Sequence, residues 1–145
     1  LDSPDALEIA RPGAPYDVLL AAAVLEHLKY PERILRQART LLAPGARVIV
    51  SLPNVAHWRL RLALLAGRFD YTDYGVMDRT HLRLYTLKTS RELLAAEGYR
   101  VEQLLVAGSG VQNALNALAR KLRRPLPPPL LPGLLGYELI FVATL

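Results

Sequence analysis

Apolar residues in this chain fall into short blocks bounded by proline, glycine or charge. The first clear block, Tyr16-Asp17-Val18-Leu19-Leu20-Ala21-Ala22, is nearly unbroken and predicts a strand buried on both faces. A helical period follows: Ile34, Leu35, Ala38, Leu41 and Leu42 share one stripe behind Pro31, which suits a first turn. Arg33, Arg36 and Arg39 mostly avoid that stripe. Pro44-Gly45 turns the chain into Arg47-Val48-Ile49-Val50-Ser51-Leu52, rich in β-branched residues and read as a second strand. Short turns join this strand–helix–strand unit, so the two strands are expected to be parallel.

Pro53-Asn54 stops the second strand, and Trp58 to Ala66 predicts a short helix ending at Gly67. Residues 68–85 read as a polar, aromatic loop. Thr86 can cap a helix running to Glu97, with Gly98 as its stop, and Tyr99 to Val106 predicts a third strand. Residues 112–124 carry Leu115, Leu118 and Leu122 on one side of a helix, and Tyr137 to Leu145 predicts the last strand. Between them Pro125-Leu126-Pro127-Pro128-Pro129 reads as an extended connector. The first 15 residues are polar, with a short helix expected over Asp5-Ala6-Leu7-Glu8-Ile9-Ala10.

Composition removes several classes of chemistry. Without cysteine there is no disulfide, thiolate metal site or cysteine nucleophile. Every candidate membrane span is interrupted by Arg, Glu or Pro, and the N-terminus has no signal-peptide pattern, so a cytoplasmic location is expected. The net charge of +5 rests on scattered arginines, and the one basic cluster, Arg120 to Arg124, has no aromatics interleaved. A nucleic-acid partner is therefore not expected. Residues 112–136 join an amphipathic helix, a basic end and Leu-Pro segments. An ordinary helix packed on the sheet looks like this, and so does a patch for peripheral contact with a membrane surface.

Two clusters carry candidate chemistry. Glu26-His27 follows the first strand at its C-terminal end, where open parallel sheets place ligands. A histidine beside a carboxylate can act as a base near neutral pH. Alternatively, Glu26 pairs with an arginine while His27 packs at a helix entrance. In the loop, Asp78, Arg79, His81 and Arg83 crowd together near Tyr71, Tyr74 and Tyr85. His81 is a second candidate base, and Arg79 or Arg83 could hold an anionic group; alternatively, Asp–Arg pairs merely pin the loop. Tyr71, Asn54 and Trp58 are further candidates for lining an acceptor pocket.

The order of strand, Leu25-Glu26-His27, Pro31-started helix, Leu42-Ala43-Pro44-Gly45, strand and Pro53-Asn54 resembles the middle of class I S-adenosylmethionine-dependent methyltransferases. The stretch Asp78-Arg79-Thr80-His81-Leu82-Arg83-Leu84-Tyr85-Thr86, with Glu97-Gly98-Tyr99 behind it, is similar to a subgroup that includes ubiquinone-biosynthesis O-methyltransferases and methyltransferases of polysaccharide gene clusters. The likeness spans about residues 14–106, with a final strand at 137–145. It implies an α/β, Rossmann-like half-sheet, mostly parallel, in the order first, second, fourth, third strand, with an antiparallel last strand. The whole of 1–145 would then be the C-terminal half of one domain, with 112–136 an insertion or connector.

By the same resemblance the cofactor is S-adenosylmethionine. The backbone around Ala22, Ala23 and Leu25 would border its methionine part, and Glu26, His27 and His81 would serve catalysis. Some relatives bind a divalent metal with an acidic residue three before the Glu-His pair. Ala23 stands there in this chain, so no metal is expected. The family's glycine-rich loop and the carboxylate for the ribose have no counterpart in this sequence, which starts at leucine. The expected reading is therefore a methyltransferase lacking its N-terminal cofactor-binding half, acting on an oxygen, or second a nitrogen, of a small molecule, sugar or lipid-linked acceptor. The alternative is a non-catalytic interaction module. Either reading leaves the edge of residues 16–22 to be covered by upstream chain or by a second copy.

Overall fold

The computed structural model describes residues 6–108, 110–123, 125 and 131–145. Four strands form one sheet: β1 (Tyr16–Ala22), β2 (Leu42–Pro53), β3 (Arg100–Ala107) and β4 (Glu138–Thr144), in the order β1-β2-β4-β3. The helices are α1 (Pro31–Arg39), α2 (Trp58–Leu65), α3 (Leu87–Ala96), α4 (Gly110–Lys121) and a single turn, α5 (Pro132–Leu135). β1 pairs with β2 in parallel, while β4 lies antiparallel between β2 and β3. Three strands thus point one way, yet only the β1–β2 ladder is parallel. The strand order agrees with the expected one; "mostly parallel" describes strand directions and not the ladders.

The core follows from period-2 alternation along the two central strands. Val48, Val50 and Leu52 of β2 stand opposite Ala143, Phe141 and Leu139 of β4, and all six are fully buried. Against this face pack Leu35 of α1, Leu94 of α3, Leu25 and Tyr99. The Tyr99 hydroxyl donates to the Leu35 carbonyl at 2.7 Å, tying α1 to the start of β3, and burial pushes that phenol up to about 12. α3 starts with a reciprocal cap: the Thr86 hydroxyl accepts from Thr89 N–H, and Thr89 Oγ1 accepts from Thr86 N–H.

β1 departs from expectation. Its apolar run predicts burial on both faces, but only Ala21 is buried, whereas Val18 and Leu20 are 56% and 65% exposed. Among the described residues β1 has one sheet neighbour, β2, and no layer over its Val18–Leu20 side. The N-terminal helix forms as a 3-10 turn over Glu8–Gly13, later than expected. Leu126 to Pro129 of the connector lie outside the described residues, as does Ser109. In the 112–136 segment α4 and the turn after it leave Leu118 and Leu122 more than half exposed. No helix among the described residues is long and apolar enough to cross a membrane.

Candidate functional site

The site begins where β1 ends. Ala23 has φ +50, a left-handed conformation uncommon for a residue with a side chain, and its N–H donates to Ser51 Oγ at 3.1 Å. This turns the chain off the sheet into one 3-10 turn, Leu25–His27, pinned by Leu25 in the core. The 78–83 loop is then fastened over that turn. Leu82 and Arg83 N–H groups both donate to the Glu26 carbonyl, at 2.8 and 3.0 Å. His81 is thereby delivered to His27, ring centroids 4.8 Å apart and edge-on at 68°. One ligand atom each from Glu26, His27 and His81 lies within 4.8 Å of the others.

Hydrogen bonds fix the tautomers of both histidines. His81 Nδ1 lies 3.0 Å from the Val76 carbonyl, which can only accept, so Nδ1 carries the proton. His27 Nδ1 faces the Thr80 carbonyl at 3.2 Å and Thr80 Oγ1 at 3.1 Å. The Thr80 hydroxyl spends its one hydrogen on Asp78 Oδ1 at 2.6 Å, so here too the ring nitrogen must donate. Whenever either ring is neutral, its lone pair therefore sits on Nε2. That is the arrangement a base needs, and equally the arrangement of a metal ligand.

Glu26 is almost wholly buried, and its Oε2 has no hydrogen-bond partner. Burial pushes its carboxyl above the usual range; its own backbone and the His27 and His81 charges oppose the rise. The Thr80 hydroxyl and N–H hold the Asp78 carboxyl below its usual range. Ala23, Glu26, His27, Asp78, His81 and Tyr137 line a cavity of about 300 Å³ around these groups. Such a trio can take a proton from a bound hydroxyl or amine and can supply three donors to a divalent cation. Ala23 withholds one acidic ligand, yet His81 supplies a donor in its stead: it lies 54 residues beyond His27 in sequence and beside it in space.

Other sequence candidates fare differently. Leu25 is fully buried in the core, so its side chain cannot border a cofactor; only its backbone remains available. Ala22 and Ala23 are exposed at the end of β1. The Asn54 side chain is engaged within the chain: its amide donates to the Gly133 and Gly136 carbonyls at 3.2 and 2.8 Å, and its Oδ1 accepts from Ala56 N–H at 3.1 Å. A fully buried amide is spent here on backbone groups that would otherwise go unpaired. Arg83 donates to the Lys29 carbonyl at 2.7 Å, and Arg79 pairs with Asp73 at 2.9 Å in the open. Glu26 has no arginine partner among the described residues, and the Asp–Arg pair of the loop, Asp73–Arg79, is solvent-exposed.

A second cavity adjoins the first. It is lined by His57, Leu60, Tyr71, Tyr74, Met77 and Arg79 among others, and shares Val76 and Tyr137 with the histidine cavity. Trp58 does not line it; its ring lies 5.8 Å from that of His57, which caps α2 by accepting from Arg59 N–H at 3.4 Å. Tyr137, missed in the sequence, forms the partition. Its hydroxyl accepts from Val76 N–H at 3.2 Å, and its ring meets His57 edge-on at 5.6 Å. Gly75, at φ +86, leaves room for that hydroxyl, where a Cβ would collide with it. No local pattern in the sequence marks a tyrosine at the head of the last strand as part of this site.

The fold agrees with comparison to known proteins. A family model described as a methyltransferase domain matches residues 2–104. The chain belongs to this methyltransferase domain family. Among solved structures, this methyltransferase domain is similar to a SAM-dependent methyltransferase from Thermotoga maritima, described as a possible histamine N-methyltransferase, at TM-score 0.55 and 16% identity, over 90% of this chain and 56% of that one. It is also similar to a SAM-dependent methyltransferase from Archaeoglobus fulgidus, at TM-score 0.53 and 16% identity, over 94% of this chain and 64% of that one. A third likeness is to the CurJ carbon methyltransferase, at TM-score 0.52 and 21% identity, over 98% of this chain and 33% of that one. These likenesses establish the fold. No curated protein matches. The chain spans roughly three-fifths of the first two of these structures, at 56% and 64%.

Residues present here fit one end of S-adenosylmethionine. Ala22 and Ala23 are small and exposed, and Ala23 lines the histidine cavity, leaving space at the end of β1 for the methyl-bearing end. No glycine-rich turn or acidic strand end stands before β1 in this sequence to receive the adenosine.

Proposed function

We infer that this domain forms the acceptor side of an S-adenosylmethionine-dependent methyltransferase that methylates an oxygen, or second a nitrogen, of a small molecule. The observation that carries this reading is the trio Glu26, His27 and His81, with both Nε2 lone pairs freed by hydrogen bonds at Nδ1. When bound, S-adenosylmethionine supplies an electrophilic methyl group on its sulfonium. His27, nearest the end of β1, is assigned as the base that takes the acceptor's proton at Nε2. His81 orients the acceptor, and Glu26 favours the imidazolium that results. Val76, Tyr137 and the fastened loop hold the acceptor and limit water at the reacting atom. With three donors gathered, a divalent cation held by the same trio is a second reading: it would lower the acceptor's pKa in place of a free base.

Methyl transfer from labelled S-adenosylmethionine by the full-length protein tests both readings. His27→Ala should abolish the acidic limb of the pH profile and lower kcat. If a chelator abolishes activity and added Mg²⁺, Mn²⁺ or Zn²⁺ restores it, the metal reading holds and the free-base reading fails. A full-length protein that binds no S-adenosylmethionine in calorimetry would make this a non-catalytic module.

A further inference from the structure

A third cavity, about 520 Å³, lies between α2 and the loop that follows it. Its walls are mainly apolar: Leu60, Ala63 and Leu64 of α2 face Phe69 and Met77, with Arg61, Arg68 and Asp70 among its few charged lining residues. Native interiors leave few voids larger than a water, whereas ligand pockets run about 300–1,000 Å³ with apolar walls and a few polar groups. The cavity also adjoins the site. It shares Leu60, Asp70, Thr72 and Met77 with the middle cavity, which in turn shares Val76 and Tyr137 with the histidine cavity. Val76 and Met77 are neighbours in sequence, their Cα atoms about 3.8 Å apart, so the three spaces follow one another along a single wall.

We propose that this apolar cavity is the second half of the acceptor site and receives an uncharged alkyl or aryl group, so that the acceptor is an amphiphile. Its hydroxyl or amine reaches His27 and His81, its middle passes Tyr137, and its apolar end lies under α2. The assignment rests on the methyltransferase reading for the polar end only; the cavity itself is a property of α2 and its loop. α2 buries no side chain in the structure, although five of its eight residues are apolar leucine or alanine. An apolar ligand would give its Leu60–Ala63–Leu64 face the cover that the rest of the chain does not.

The test is a series of 4-alkylphenols from ethyl to heptyl, with phenol as reference, titrated into the full-length protein and read by Trp58 fluorescence and calorimetry. Kd should fall about three- to fourfold per added methylene until the cavity is full, as expected for burial of alkyl surface. Ala63→Phe, which fills the cavity, should bring heptylphenol to within about twofold of phenol. Ala63→Ser, which keeps the volume and adds a hydroxyl, should weaken heptylphenol and spare phenol. Equal affinity across the series overturns the proposal, as does an alkyl preference that both variants leave intact. So does partition into phosphatidylcholine vesicles without saturable binding in their absence. If the alkyl preference is present and Ala63-dependent while the full-length protein transfers no methyl group, the cavity stands and the methyltransferase reading falls. If methyl transfer proceeds with the same kcat/KM for phenol and heptylphenol, the reverse holds.

Discussion

α1 and α2 flank the same strand and end up in opposite circumstances. α1 is nine residues with three arginines, yet it buries Pro31, Ile34, Leu35 and Ala38. α2 is more apolar, and it buries nothing; Leu62, Leu64 and Leu65 are 56%, 60% and 83% exposed. The difference lies in pattern. In α1 the apolar residues recur at i, i+1 and i+4 and charged or polar residues fill the rest, so one stripe meets the sheet. In α2 leucine and alanine spread round the axis, so no single contact could cover them. α1 is held by the core; α2 itself is tied down by polar contacts at its start, among them those of His57, Asn54 and Arg61. The candidate chemistry sits beside the loop of α2, on a turn that Leu25 pins to the core.

The largest effect should appear there. Replacing the true base by Ala is expected to lower kcat of the full-length protein by about 10²–10⁴. Cofactor affinity should be nearly unchanged, because both histidines are assigned to the acceptor. Steady-state kinetics of His27→Ala and His81→Ala, each over pH 5 to 9, decide which is the base. The variant that keeps its acidic limb and mainly raises the acceptor's KM is the orienting one. Near-normal turnover and unaltered profiles in both would remove the assignment.

The two helices themselves should show the next largest effect. Leu35→Ala should cost about 2–5 kcal/mol, as for a leucine truncated in a packed core. Leu65→Ala should stay within about 0.5 kcal/mol. Urea denaturation of both variants measures this. A Leu65→Ala cost near that of Leu35→Ala would mean that α2 is covered in solution, and the contrast between the helices would break.

Much of the fold is legible in the sequence because its elements are local. Pro31 opens α1, Thr86 opens α3, and the Ile34–Leu35–Ala38 stripe is the face that packs. β1 misleads because an apolar run records an expectation of cover and cannot say whether that cover lies within the chain. In the site, Glu26 and His27 are readable from their place at a strand end, and His81 from its crowded loop. Their meeting is not, since it depends on two N–H groups of the loop finding the Glu26 carbonyl. Asn54 misleads for a related reason: a polar residue after a strand looks available, whereas its partners, the Gly133 and Gly136 carbonyls, come from the far end of the sequence. Tyr137 carries no signal at all.

A smaller effect concerns the cap of α2. Burial, aided by Arg59, pushes the His57 imidazole below its usual range. The folded state then binds its proton less readily than the unfolded chain. Stability from this group is fully present above the ordinary histidine pKa of about 6.5 and is lost as pH falls toward the folded value. Protonation also removes the Nδ1 acceptor that receives Arg59 N–H, so the cap should go with it. Tm is expected to fall between pH 7 and 5. His57→Asn, which keeps a capping oxygen, should flatten that dependence at a cost of about 0.5–2 kcal/mol or less. A Tm slope identical in the variant would assign the pH dependence elsewhere.

The smallest effect, and the one that separates positioning from packing, is at Tyr137. Its hydroxyl receives Val76 N–H, and the carbonyl of the same residue holds His81 Nδ1. Tyr137→Phe removes one hydrogen bond and keeps the ring against His57, so stability should change by about 0.5–1.5 kcal/mol. If Tyr137 only packs, nothing further should follow. If it positions His81 through the Val76 peptide, the variant should also relax the tautomer. ¹⁵N shifts of the His81 ring would then move from an Nδ1–H form toward a mixture, and the acceptor's KM would rise while kcat fell less. Those two readouts belong to the histidine and not to the tyrosine. An unchanged tautomer alongside the expected stability loss would leave Tyr137 as a wall between two cavities and nothing more.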